Sequence, residues 1–200
     1  MYYTFIKASC AFQKQTSVMI RLVIFASLSI LIIAVSWRTI FNIKSHGFYR
    51  FLSWECIAWL VAGNYKYWFD APLSLNQIVS WILLIISGYL VIHGAVLLVK
   101  KGKPKRTRNK KNLYPIEETT QLIDNGIFKY IRHPLYSSLL FLTWGIFFKH
   151  VTFPLLFTAL LSTLFLYLTA VSEEKECIDA FGDQYRLYMK HTRMFIPYIF

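Results

Sequence analysis

Acidic residues are scarce in this sequence: 10 Asp and Glu stand against 22 Lys and Arg, for a net charge of +12 over 200 residues. Such an imbalance suggests nucleic acid at first sight, but its location argues otherwise. Residues 100–111 hold eight basic side chains (Lys100, Lys101, Lys103, Lys105, Arg106, Arg108, Lys110 and Lys111), with no acidic and no aromatic residue among them. Without interleaved aromatics or a recognisable nucleic-acid-binding pattern, no nucleic acid is expected as a partner. Cysteine is sparse too. Cys10, Cys56 and Cys177 are odd in number, scattered and without metal-ligand spacing, so neither a disulfide framework nor a metal site is expected. The first apolar run starts late, at Leu22, and ends in Ser36-Trp37-Arg38 without a small-residue cleavage pattern. It reads as a retained helix rather than a secretory leader.

Charge is also lacking over long stretches. The chain is 56% hydrophobic with a mean hydropathy of +0.44, against about 45–50% for a soluble domain. Segments 22–37, 75–99, 135–148 and 154–171 are nearly free of charge, and a helix needs about 20 apolar residues to cross the hydrocarbon. Segment 51–69 is a fifth candidate despite Glu55, Asn64 and Lys66, because Trp54, Trp59, Tyr65, Tyr67 and Trp68 fit an aromatic girdle at a membrane interface. The expected fold is therefore all-α, a multi-pass transmembrane bundle of about five spans. Glu55 and His93 fall inside spans and read as satisfied helix-packing groups.

The basic run follows the third span, which places it in the cytoplasm by the positive-inside rule. Attraction to anionic headgroups, about 1 kcal/mol per basic residue near the surface, accounts for it without a special ligand. Five spans then put the tail from about Ser172 on the same side. The last two spans form a hairpin turning near Lys149 and His150, with Pro154 at a helix start, where its missing N–H is harmless. Three regions follow: N-terminal helices at 1–99, the basic loop at 100–119, and a region at 120–200 whose two polar segments flank the hairpin on one membrane face.

Those two segments hold the chemistry. Asp124-Asn125-Gly126 signals a turn, and Pro134 after Arg132-His133 marks a helix start. Unpaired N–H groups there, beside Arg132 and His133, suit an anion such as a carboxylate. Across the hairpin, Glu173-Glu174 offers carboxylates near the low-dielectric boundary. A molecule with a carboxylate, an ammonium, a sulfonium and a flat base would use both segments. S-adenosylmethionine has all four, with Phe128, Tyr130 and Tyr136 available to its base or, through cation–π attraction, to its sulfonium.

Taken together, Gly126-x-x-x-Tyr130-x-Arg132-His133-Pro134-x-Tyr136, the apolar hairpin, Glu173-Glu174, Phe181-Gly182-x-x-Tyr185 and Arg193-x-x-x-Pro197 resemble the C-terminal half of the isoprenylcysteine carboxyl methyltransferases and related phospholipid methyltransferases. The resemblance covers about residues 120–197; the first hundred match only as membrane helices. It implies cofactor contacts at Thr120, Gln121, Leu122, Ile123, Phe128, His133, Pro134, Leu135, Tyr136 and Glu173. Three positions depart from the eukaryotic pattern: Thr120 replaces a histidine, Phe128 a tyrosine, and Thr169 an arginine that engages the acceptor's carboxylate. The last change removes the most direct sign of a prenylcysteine acceptor.

The expected activity is S-adenosylmethionine-dependent methylation of a lipid, prenylated or other amphipathic acceptor entering from the bilayer, with carboxylate O-methylation favoured. A carboxylate needs only alignment and desolvation, whereas an amine must lose a proton, for which Glu174 could serve; no catalytic residue is assigned. Two other classes stay open. The chain's end also resembles the NADPH-dependent sterol reductases, although adjacent carboxylates would repel a 2′-phosphate, and a membrane scaffold without enzymatic activity is the third reading. Singly, Arg132 and His133 have a second reading as interfacial anchors and Glu173 and Glu174 as a solvated acidic pair, while Tyr130, Tyr136, Tyr185 and Tyr188 read first as interfacial aromatics; the shared membrane face turns the balance towards a site.

Overall fold

The computed structural model describes residues 2–43, 45–101 and 122–198, with side chains from residue 12 onward. Six α-helices make up this part of the chain: α1 (Tyr2–Ser36), α2 (His46–Asn64), α3 (Leu75–Lys101), α4 (Pro134–Phe147), α5 (Phe153–Phe181) and α6 (Asp183–His191). A single 3-10 turn, Gly126–Lys129, precedes α4, and the described residues contain no strand beyond one isolated bridge. Most of the basic run, together with Thr120 and Gln121, lies outside the described residues.

Contacts run from α1 to α2, α2 to α5, α5 to α4 and α4 to α3, so the helices form a layered bundle with the α4–α5 hairpin at its centre. Small residues let the backbones approach. A Cβ on Gly145 would sit 2.9 Å from the Leu84 side chain, and Ser80 and Ser87 of α3 donate to the carbonyls of Gly145 and Ser138, each at 2.7 Å. On the other flank, Ser162 of α5 meets Ser53 at 3.0 Å and Thr143 at 3.2 Å, and Asn64 donates to the Ile146 carbonyl at 3.1 Å. Apolar tails surround the bundle as readily as they surround Leu. Close packing and short hydrogen bonds between helices therefore supply the specificity that the hydrophobic effect does not.

Among the described residues, three helices are long and apolar enough to cross a membrane: Phe12–Ser36, Leu75–Lys101 and Phe153–Phe181. α4 has 14 residues, a rise of about 21 Å, which is short of the roughly 30 Å hydrocarbon core. α2 runs from His46 to Asn64 rather than over the expected 51–69. It starts earlier because its polar first turns find partners: His46, fully buried, places Nδ1 3.0 Å from Glu176 of α5. α5 likewise extends ten residues past the expected end at Val171, because its glutamates pair with the buried side chains of His46, Arg132 and His133. Glu55 accepts a 2.5 Å bond from Ser29 and joins α1 to α2. His93 departs from expectation. It sits on the outer face of α3 against the Tyr89 ring, centroids 4.3 Å apart, and is not a packing group between helices.

The hairpin turn, between α4 and α5, is closed by Lys149. Its ammonium is buried against neutral groups: Gln77 Oε1 at 3.0 Å, the Trp68 carbonyl at 3.3 Å and the Trp81 ring at 3.6 Å from the centroid. This end also holds the start of α3 and the Tyr67–His150 ring stack. The opposite end holds the last turn of α3, where Lys101 donates to Asn125 at 2.9 Å, and the polar segments that flank the hairpin.

Candidate active site

Pro134 opens α4 and His133 precedes it as the N-cap residue, with no side-chain cap. The chain reaches this point through the Asp124–Gly126 turn, where Gly126 takes φ +62°, a conformation open to glycine without strain. The stretch is then fixed by the chain's tail. Arg132 N–H donates to the Arg193 carbonyl at 2.8 Å, Arg193 N–H to the Tyr130 carbonyl at 3.0 Å, and His133 N–H to the Met194 carbonyl at 3.2 Å. Ser137 extends the seam by donating to the Phe195 carbonyl at 2.8 Å.

Two cations and two carboxylates meet beside this seam. His133 is buried between Glu173 (Nδ1 to Oε2, 3.3 Å) and Glu174 (Nε2 to Oε1, 3.3 Å). Burial opposes its charge, but hydrogen bonds and attraction from both glutamates outweigh that and raise its pKa above the ordinary imidazole value. Arg132 donates Nε to Glu174 at 2.7 Å and Nη1 to the carbonyls of Thr192 (2.5 Å) and Met189 (3.3 Å). These bonds make Arg132 a strut that ties α5 to the end of α6. It is therefore not the free cation for a ligand carboxylate that the sequence suggested. Glu174 is likewise committed to Arg132 and His133.

Glu173 differs. It lines a cavity of about 90 Å³ together with Leu122, Ile123, Phe128, Arg132 and His133. The far wall comes from Leu98, Cys177, Phe181, Tyr185 and Tyr188. Phe128 and Tyr188 are locked together, the Tyr188 hydroxyl donating to the Phe128 carbonyl at 2.6 Å. Burial raises the pKa of both Tyr185 and Tyr188, which keeps their hydroxyls neutral.

Among the residues singled out from sequence, Leu122, Ile123, Phe128, His133 and Glu173 converge on this cavity. Tyr136 stands behind it, stacked on His133 at 5.5 Å and packed against Leu166, Ala170 and Phe195. Pro134 and Leu135 turn towards α3, where both pack against Gly94. Thr120 and Gln121 lie outside the described residues. Leu98, Cys177, Phe181 and Tyr188 were not singled out as ligands; the 3.6-residue spacing of Glu173, Cys177 and Phe181 on one helical face was the available signal.

A family model for phospholipid methyltransferases matches residues 77–184, more than half of the chain. The chain belongs to the phospholipid methyltransferase family. Together with three helices fit to cross a membrane, this makes it an integral membrane protein of a methyltransferase family. It is 25% identical over 182 residues to methanethiol S-methyltransferase 1 of Bradyrhizobium diazoefficiens, a match that covers 88% of this chain and 53% of that protein. Methanethiol S-methyltransferase of Pseudomonas deceptionensis is 26% identical over 132 residues, covering 64% of this chain and 46% of that protein. This family member thus spans about half the length of the curated relatives it matches. No solved structure matches significantly.

Proposed function

We propose that the protein transfers the methyl group of S-adenosylmethionine to a small lipophilic thiol, at a site on the cytoplasmic face of a five-span bundle. The convergence of Phe128, His133 and Glu173 on one cavity, within a methyltransferase-family chain, carries this reading. The donor set fits the cofactor: a carboxylate for its ammonium or ribose hydroxyls, and aromatic rings for its base or sulfonium. At about 90 Å³ the cavity takes one moiety of the cofactor rather than the whole. When bound, the cofactor supplies an activated methyl group. Glu173 would hold it, His133 and Tyr136 hold Glu173, and Phe128 and Tyr188 fix the aromatic wall. Leu122 and Ile123 add apolar contact, and Thr120 and Gln121 belong to the same proposed binding stretch.

The acceptor follows from what the other groups are doing. Glu174, the base an amine would need, is held by Arg132 and His133. Thr169 is fully buried and donates its hydroxyl to the Phe165 carbonyl at 2.7 Å, so that position offers no cation to a carboxylate. A thiol needs no cationic partner, and the small fraction ionised at neutral pH is an intrinsically strong nucleophile. The relatives named as methanethiol S-methyltransferases support the same acceptor class.

Incubating the purified protein in nanodiscs with methyl-labelled donor and a short alkyl thiol, a prenylcysteine or an amine-bearing phospholipid separates the acceptors. A volatile labelled sulfide released without alkali is expected. A product that yields volatile label only after mild alkali would be an ester and would return the reading to a lipid or isoprenoid carboxylate. Calorimetry should give heat with S-adenosylhomocysteine and none with NADPH, and the reverse would favour the reductase. Five spans and the cytoplasmic site rest on Lys100 and Lys101 ending α3 at the site end. With native cysteines removed, Lys105→Cys and Lys190→Cys should label from the cytoplasm and His150→Cys from outside.

A further inference from the structure

At the end of the bundle far from His133, a second cavity of about 300 Å³ opens between α1, α2 and the first turn of α5. Its walls are apolar, built from Leu22, Trp59, Gly63 and Leu155 among others. One cation stands in it. Arg21 projects from α1, and its Nε is buried without any hydrogen-bond partner. A cation set among apolar walls favours an anionic neighbour, and Arg21 is the charged side chain of this lining. The neighbouring lining points the same way. Thr152 and Pro154 begin α5, whose 29 residues end here in N–H groups that no side chain caps, and this terminus carries the positive end of the helix dipole. Arg21, the helix start and His150 thus line one cavity whose remaining walls are apolar.

We infer that this cavity is a binding site for an anionic glycerophospholipid, its phosphate on Arg21 and the start of α5, and one acyl chain in the groove over Gly63. Gly63 and Leu155 line it side by side, a Cβ on Gly63 meeting the end of the Leu155 side chain at 2.9 Å. Charge complementarity selects a negative head, and the apolar walls select a chain. α1 belongs to a helix apolar enough to lie in lipid, with Val18 and Leu22 about half exposed, so such a ligand enters sideways from the bilayer. The site shares no residue with the His133 cavity and is independent of the acceptor proposed for it.

The test uses the full chain, purified and delipidated in detergent. Fluorescent phosphatidylglycerol is titrated against neutral diacylglycerol with the same chains. Wild type should prefer the anionic lipid, and Arg21→Gln should weaken its binding by roughly tenfold or more, the size of a lost charge-assisted bond, while leaving the diacylglycerol unchanged. Leu22→Trp, which fills the groove from the α1 side, should weaken both. Heat on titration with S-adenosylhomocysteine serves as the fold control, because no tested residue touches that site. Equal affinity of wild type and Arg21→Gln for phosphatidylglycerol would overturn the proposal. So would competition by free inorganic phosphate as strong as by the lipid, or a lipid-free dimer that cross-links through α1 and masks the groove.

Discussion

The two ends of the α4–α5 hairpin each bury a cation, and they treat it differently. At the turn, Lys149 is surrounded by neutral groups: an amide oxygen, a backbone carbonyl and an indole face. At the open end, Arg132 and His133 are matched by two carboxylates, only one of which lines a cavity. A cation with neutral partners leaves no group over for a ligand and works as a latch. A cluster with paired charges can divide its labour, so that Glu174 holds the fold and Glu173 remains accessible to a ligand. The contrast separates stabilising residues from binding residues without appeal to their chemical type, since the two glutamates are adjacent in sequence.

The largest effect should come from Arg132→Met. It strands Glu174 and the Thr192 carbonyl in a largely buried place, and removing one partner of such a pair costs about 3–5 kcal/mol. Denaturant unfolding followed by tryptophan fluorescence should register that loss, with the tail near Lys190 and Arg193 becoming open to trypsin. Next comes the split between the glutamates. Glu173→Gln should weaken S-adenosylhomocysteine binding by roughly ten- to a hundredfold, the worth of a charge-assisted hydrogen bond, with a smaller fall in melting than Glu174→Gln because it loses one partner, His133, where Glu174 loses two. Glu174→Gln should do the opposite, lowering the melting temperature more than the affinity. Equal losses of affinity in both would erase the division of labour.

At the other end, Lys149→Met keeps the packing volume but leaves Gln77 without its partner, at a cost of about 1–3 kcal/mol. Adding Gln77→Met should deepen the loss, because Gln77 Nε2 also donates to the Tyr67 carbonyl at 2.7 Å and that acceptor would be left unpaired. Cofactor affinity should stay constant in both variants. The smallest effect is on pH dependence. The pKa of His133 is raised in the fold, so the stability it contributes is complete below its unfolded value, near pH 6.5, and is lost as pH rises through the folded value. Melting temperatures taken from about pH 6 to 9 should decline in the wild type and flatten in His133→Gln. A decline that persists in the variant would place the titrating group elsewhere.

Periodicity and charge made much of this legible beforehand. The starts of α3, α4 and α5 fall within one residue of the apolar segments at 75, 135 and 154, because Pro134, Pro154 and abrupt polarity changes mark them locally. α2 was misplaced by five residues because His46 and Arg50 look unfit for a membrane helix until Glu176 appears across the interface. The site shows the same limit. His133 and Glu173 could be paired from the hairpin alone, but the Tyr188 bond to Phe128 joins residues 60 apart through a short helix that hydropathy does not reveal. Nor could sequence say that Arg132 is occupied, since two of its acceptors are backbone carbonyls, which every residue has.

The Ile131–Arg193 bridge sets a timetable for biosynthesis. Residues 189–195 leave the ribosome after every long helix has been made, yet their carbonyls complete the coordination of Arg132 and the anchoring of Ser137. A nascent chain with all its helices inserted therefore still has an unfinished pocket. Truncation just short of Met189 is expected to leave the long helices intact while removing the carbonyls that hold Arg132 and Ser137.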